Sequence, residues 1–166
     1  MKKIALVSVM VAGLCSGGVA LAQNCTGSTG SISGANSGTS LPTFDSCTAS
    51  NQLAVACSGL DPIGTAQDAI WTVTIGPGAH SGNFTITPAA GYDVWAALMS
   101  TTCSGASACP LEADSAPAGG AETLGTIDAL ANGTYFLIVS SFSAQCGNIT
   151  VQVPTAPVSL QTFSVN

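Results

Sequence analysis

The run Thr134-Tyr-Phe-Leu-Ile-Val139 is uncharged and rich in aromatic and branched side chains. That composition suits a strand buried on both faces. Asn132-Gly133, just ahead of it, tolerates positive φ at both positions and predicts a tight reversal. The expected partners are Leu124 to Leu130 before the turn and the alternating stretch Asn148-Ile-Thr-Val-Gln-Val153 after it. A meander of these three strands needs a second sheet over its apolar face.

Further strands are readable upstream. Leu53 to Cys57 is a short apolar candidate. Ile70 to Ile75 alternates, with Trp71, Val73 and Ile75 on one face and Thr72 and Thr74 on the other. Gly76 to Gly82 is a loop by composition. Phe84 and Ile86 then continue the inward face, Thr85 and Thr87 point out, and Pro88 stops the strand. Val94 to Met99 follows a turn at Gly91, and Cys103 to Gly120 reads as a long loop. No amphipathic helix is evident, since Ala113 to Ala121 is broken by Pro117 and a double glycine. About seven or eight short strands with turn signals between them predict one all-β, antiparallel β-sandwich over residues 41–153.

The flanks differ. Lys2 and Lys3, an apolar stretch from Ile4 and the small-x-small site Ala20-Leu21-Ala22 predict a signal peptide over residues 1–22. Residues 23–40 are dominated by Gly, Ser, Thr, Ala and Asn. They read as a flexible lead-in, with a Ser/Thr-rich edge strand or a glycan-bearing stalk as the alternatives. Residues 154–166 combine a proline spacer with the alternating Val158 to Val165, a possible edge strand. No later stretch is long and apolar enough to span a bilayer, so no membrane insertion is expected.

Lys2 and Lys3 are the only basic side chains in the sequence, against eight acids. Once the leader is removed, no carboxylate has a Lys or Arg partner. Each must be hydrated, accept backbone hydrogen bonds or meet a cation. Such a chain repels phosphate backbones and anionic lipid, which excludes nucleic acid as a partner. Loss of Cys15 with the leader leaves Cys25, Cys47, Cys57, Cys103, Cys109 and Cys146, an even set that suits disulfides in an oxidising compartment, periplasmic or extracellular. Proximity along the chain favours Cys47–Cys57 and Cys103–Cys109, which leaves Cys25–Cys146.

Catalytic signals are sparse. His80, between Gly78 and Gly82, is the sole imidazole, and neither a G-x-S-x-G elbow nor an HExxH motif occurs. Glu112 and Asp114 share a loop with Asp93 nearby, the minimum for a carboxylate hydrolase. Asp93 and Asp114 are also the candidate ligands of a weak calcium site, because hard oxygen donors suit that ion. Tyr92, Asp93 and Trp95 form the one candidate contact patch for a carbohydrate or an extracellular protein.

The order of these features resembles bacterial pre-peptidase C-terminal (PPC) domains. Asp68-Ala-Ile-Trp-Thr-Val-Thr-Ile75 resembles their D-x-x-Y-x-F strand, and Gly91-Tyr-Asp-Val-Trp-Ala-Ala-Leu98 their Y/F-D-x-x-L strand. Cys103, Cys109 and Asp114 are similar to their C…C-x-D-D loop. Asn132 to Val139 with Gly147 to Val151 resembles the family's closing strands. The similarity spans about residues 45–153. It implies a jelly-roll-like β-sandwich without catalytic residues, present as a free-standing exported copy that aids secretion or attachment. The expected function is therefore a secreted, non-catalytic binding or accessory module. The alternatives are an adhesive subunit assembling by strand addition and a small carboxylate-dependent hydrolase.

Overall fold

Two hydrophobic patterns sort the strands into two sheets. The computed structural model describes residues 29–52, 57, 66–78, 80–100, 109–141 and 144–155. Along them run β1 (Gly30–Ile32), β2 (Phe44–Asp45), β3 (Ala69–Ile75), β4 (Asn83–Pro88), β5 (Val94–Met99), β6 (Leu111–Ala113), β7 (Glu122–Thr126), β8 (Gly133–Ser141) and β9 (Asn148–Gln152). Strands with apolar side chains on both faces, β3, β5 and β8, lie together in a five-stranded sheet of order β1-β3-β8-β5-β6. Strands that alternate, β4, β7 and β9, join β2 in a four-stranded sheet of order β2-β9-β4-β7. The first kind must be covered on both sides, whereas the second kind can face water on one.

All pairings are antiparallel except β1 with β3. From β2 to β9 the chain changes sheet at every connection except β5 to β6. That order is the eight-stranded jelly roll, with β1 as an added edge strand. The expected all-β sandwich is therefore what forms.

The meander is not. β7 pairs with β4 and β9 pairs with β2 and β4, both in the other sheet, while β8 pairs with β3 and β5. Gly133 opens β8 without a positive φ, so Asn132-Gly133 makes no tight hairpin turn. An uncharged strand such as β8 requires apolar neighbours on both sides, and one-faced β7 and β9 cannot supply them.

The main core lies between the sheets and includes Trp71, Val73, Ile75, Phe84, Ile86, Leu98, Leu124, Leu137 and Val151. Phe44 meets Trp71 edge to face, with ring centroids 5.8 Å apart. A second cluster covers the outer face of the five-stranded sheet: Cys57, Ile70, Trp95, Ala97, Met99 and Ile138. From residue 30 onward the flexible lead-in gives way to the edge strand that was its alternative. Ile32 is buried, β1 is hydrogen-bonded to β3, and Asn36 Oδ1 accepts from Ser33 N–H at 3.0 Å. One branched side chain at the right phase anchors a segment whose composition suggested flexibility.

The disulfides also differ from expectation. Cys47 is bonded to Cys146 across 99 residues and Cys57 to Cys109 across 52, with Cα separations of 4.9 and 5.5 Å. These bonds rule out Cys47–Cys57, Cys103–Cys109 and Cys25–Cys146. The cause is spatial: Ser46 N–H donates to the Gly147 carbonyl at 2.9 Å, which brings Cys47 and Cys146 together. In the chain-entropy view, loops this long stabilise by about 4–5 kcal/mol each. Among the described residues no helix is long and apolar enough to cross a membrane. The disulfides fit a secreted protein or an extracellular domain. The proposed leader, Cys25, Cys103, the strand at residues 53–56 and the segment 158–165 lie outside the described residues.

Candidate functional site

The corner at Tyr92, Asp93 and Trp95 is not a surface patch. Tyr92, 4% exposed, lies in the main core, and Trp95, fully buried, lies in the second one across the sheet. The Tyr92 hydroxyl accepts from Ser46 Oγ at 3.1 Å. Burial pushes its phenol pKa up; the Ser46 hydrogen bond opposes this, and the Asp68 charge adds to it. Trp95 Nε1–H donates to Glu112 Oε1 at 2.9 Å. Only Asp93, which is half-buried, keeps partial access to water, and its N–H donates to Gln145 Oε1 at 3.4 Å. Tyr92, just ahead of β5, and Trp95, three residues further on, pack on opposite sides of the sheet, so the two rings cannot stack on one ligand.

The carboxylates near this end hold the chain in place. Glu122 projects inward from β7 and is almost fully buried. Its oxygens accept from Ser115 N–H at 3.1 and 3.0 Å and from Ala116 N–H at 2.7 Å. Asp68 accepts from Ser140 Oγ and from Gln52 N–H, each at 2.6 Å, and ties the segment at Gln52 to the outer face of the five-stranded sheet. Asp45 caps the turn Ser46–Thr48 by accepting from Cys47 N–H at 3.0 Å. Asp114 has its pKa raised by burial and then by the charges of Glu122, Asp93 and Glu112. Among the described residues, no group of three or more His, Cys, Asp or Glu side chains is placed to hold a metal ion.

His80 lies at the opposite end, where β3 and β4 are joined across the two sheets. Its Nε2–H donates to the Leu130 carbonyl at 2.9 Å, which fixes the tautomer and leaves Nδ1 as the acceptor. The ring borders a pocket of about 260 Å³ floored by Ile32, Val73, Ile75, Phe84 and Ile127.

No family model matches this chain, and neither does any curated protein or solved structure.

Among the described residues, the outer face of the four-stranded sheet is a regular polar surface. Inward residues Phe84, Ile86, Leu124, Ile149 and Val151 are buried, so the alternate positions face out. Register places Thr123, Thr85, Gln152 and Ser40 in one row across the sheet. A second row joins Thr87 to Thr150, which lies 3.3 Å from Thr43, hydroxyl to hydroxyl. A third pairs Asn83 with Thr126. Rows of this kind repeat at about 4.8 Å across strands and roughly 6.8 Å along them. The face is uncharged apart from Asp45, which sits at the edge beside Asn148. The outward threonines of β4 are legible in the sequence; their alignment with β7 and β9 requires the register.

Proposed function

We propose that this protein is an exported, non-catalytic β-sandwich module that attaches to an uncharged polysaccharide. The observation that carries the reading is the neutral hydroxyl and amide array on the four-stranded sheet. A net-negative protein repels anionic polymers, while its flat uncharged face can exchange hydrogen bonds with a polyhydroxylated chain. An accessory role, as the resemblance to PPC domains implies, is part of the proposal, and the jelly-roll order is compatible with it. Export through a leader cleaved near Ala22 agrees with the disulfides. The absence of a catalytic activity is part of the proposal, supported by His80 donating to a backbone carbonyl and Glu112 accepting from Trp95.

The test is a pull-down of the secreted chain on insoluble cellulose, chitin and β-1,3-glucan, with heparin beads as the anionic control. At least one neutral polymer should retain the protein and heparin should not. Thr85→Glu with Thr150→Glu should weaken retention about thirtyfold, since each of the two lost contacts is worth on the order of 1 kcal/mol. Retention on heparin alone, or unchanged retention by the double variant, contradicts the assignment.

A further inference from the structure

We infer that the pocket beside His80 is a second binding site, for a small neutral ligand with one ring or branched alkyl group and one hydrogen-bond donor. It is independent of the polysaccharide face.

The walls come from parts of the chain far apart in sequence, and backbone hydrogen bonds hold them together. Val153 N–H donates to the Thr39 carbonyl at 2.9 Å, Gly38 N–H to the Pro154 carbonyl at 3.2 Å and Ser81 N–H to the Thr155 carbonyl at 3.2 Å. Ile127 N–H donates to the Gly82 carbonyl at 3.0 Å, and Gly82 N–H to Asp128 Oδ1 at 3.2 Å. The cavity is thus formed before any ligand arrives, which lowers the cost of binding.

Its size sets the ligand. An apolar cavity of about 150 Å³ accepts benzene, and drug-sized sites begin near 300 Å³. At about 260 Å³ this pocket falls between the two, which suits a single ring with a substituent. Its floor side chains are all buried and apolar, and the lining contains no Asp, Glu, Lys or Arg. An ionised ligand would lose its hydration there without a counter-charge.

The rim sets the ligand's polarity. His80 is pinned through Nε2–H, so Nδ1 is available as an acceptor for a donor on the ligand. Gly34, Gly76 and Gly78 line the pocket, and a Cβ at any of them would meet nothing within 4 Å. Gly34 and Gly76 also have φ values that any residue adopts, so a side chain can be added there without backbone strain.

The experiment follows amide chemical shifts of the full secreted chain while phenol, benzene and benzoate are titrated in turn. Phenol and benzene should shift the amides of Ile75, Gly76, Gly78 and Ile127. Phenol should bind about fivefold tighter than benzene, the size of one net hydrogen bond, and benzoate weakest. Gly76→Leu should abolish these shifts with the rest of the spectrum unchanged, and Gly34→Val supplies an independent block from the segment after β1. His80→Leu should retain benzene binding and erase the preference for phenol. Three results overturn the inference: no shifts at saturating phenol, shifts that survive both rim variants, or tighter binding of benzoate than of phenol.

Discussion

The two sheets share a core but treat water differently. In the five-stranded sheet, β5 is buried along its whole length, and the outward side of β3 and β8 is covered by a second apolar cluster that includes the Cys57–Cys109 bond. In the four-stranded sheet the inner face is equally apolar, yet the outer face carries half-buried and exposed threonine, asparagine and glutamine. Burial on both sides makes the first sheet the mechanical centre. Exposure leaves the second free to meet a partner.

This contrast can be broken most severely at Ala97, fully buried under the second cluster and opposite Ile138. Ala97→Asp would place an unpaired charge there and should cost more than about 4 kcal/mol, preventing folding. Urea melts and one-dimensional proton spectra would show it. Removing the cover's staple with Cys57→Ala and Cys109→Ala should lower stability by about 4 kcal/mol, read as a fall in the urea midpoint with structure retained under mild conditions.

At the rim of the four-stranded sheet, Glu122→Ala strands the Ser115 and Ala116 N–H groups and should cost about 3 kcal/mol by the same measurement. Asp114→Asn should act the other way and by less. The folded-state pKa of Asp114 is raised, so the native form binds more protons than the unfolded chain in the window just above the ordinary aspartate pKa. Stability therefore falls as pH rises through that window. The asparagine variant should be slightly more stable than the parent at neutral pH, and the gain should vanish below the window. Least affected is the outer face of the four-stranded sheet, where Thr85→Glu should change stability by no more than about 1 kcal/mol.

Much of this division is written in the sequence as periodicity. The uncharged runs Val94–Met99 and Tyr135–Val139 announce strands buried on both faces, and Phe84-Thr-Ile86-Thr87 announces one face wet. Pairing is less legible. β7 and β9 are adjacent to β8 in sequence, yet they cross to the other sheet because their alternation matches a half-exposed environment. The disulfide partners are set by turns that meet in space, as Ser46 meets Gly147, and spacing along the chain carries no trace of that. Glu122 had a faint signal: it stands in phase with Leu124 and so points inward, where an acid needs fixed donors. The candidate contact corner failed because Tyr92 and Trp95 lie on opposite sides of one sheet. The pocket is invisible in sequence, since its floor draws on β1, β3, β4 and Ile127 together.

Amide shift mapping with a soluble neutral glucan oligosaccharide puts the polysaccharide assignment to its most direct test. The account predicts shifts concentrated at Thr85, Thr87, Thr123, Thr150 and Gln152, with the outer cluster around Ile138 silent. Shifts confined to the ends of the sandwich, or none with any neutral oligosaccharide, would contradict it.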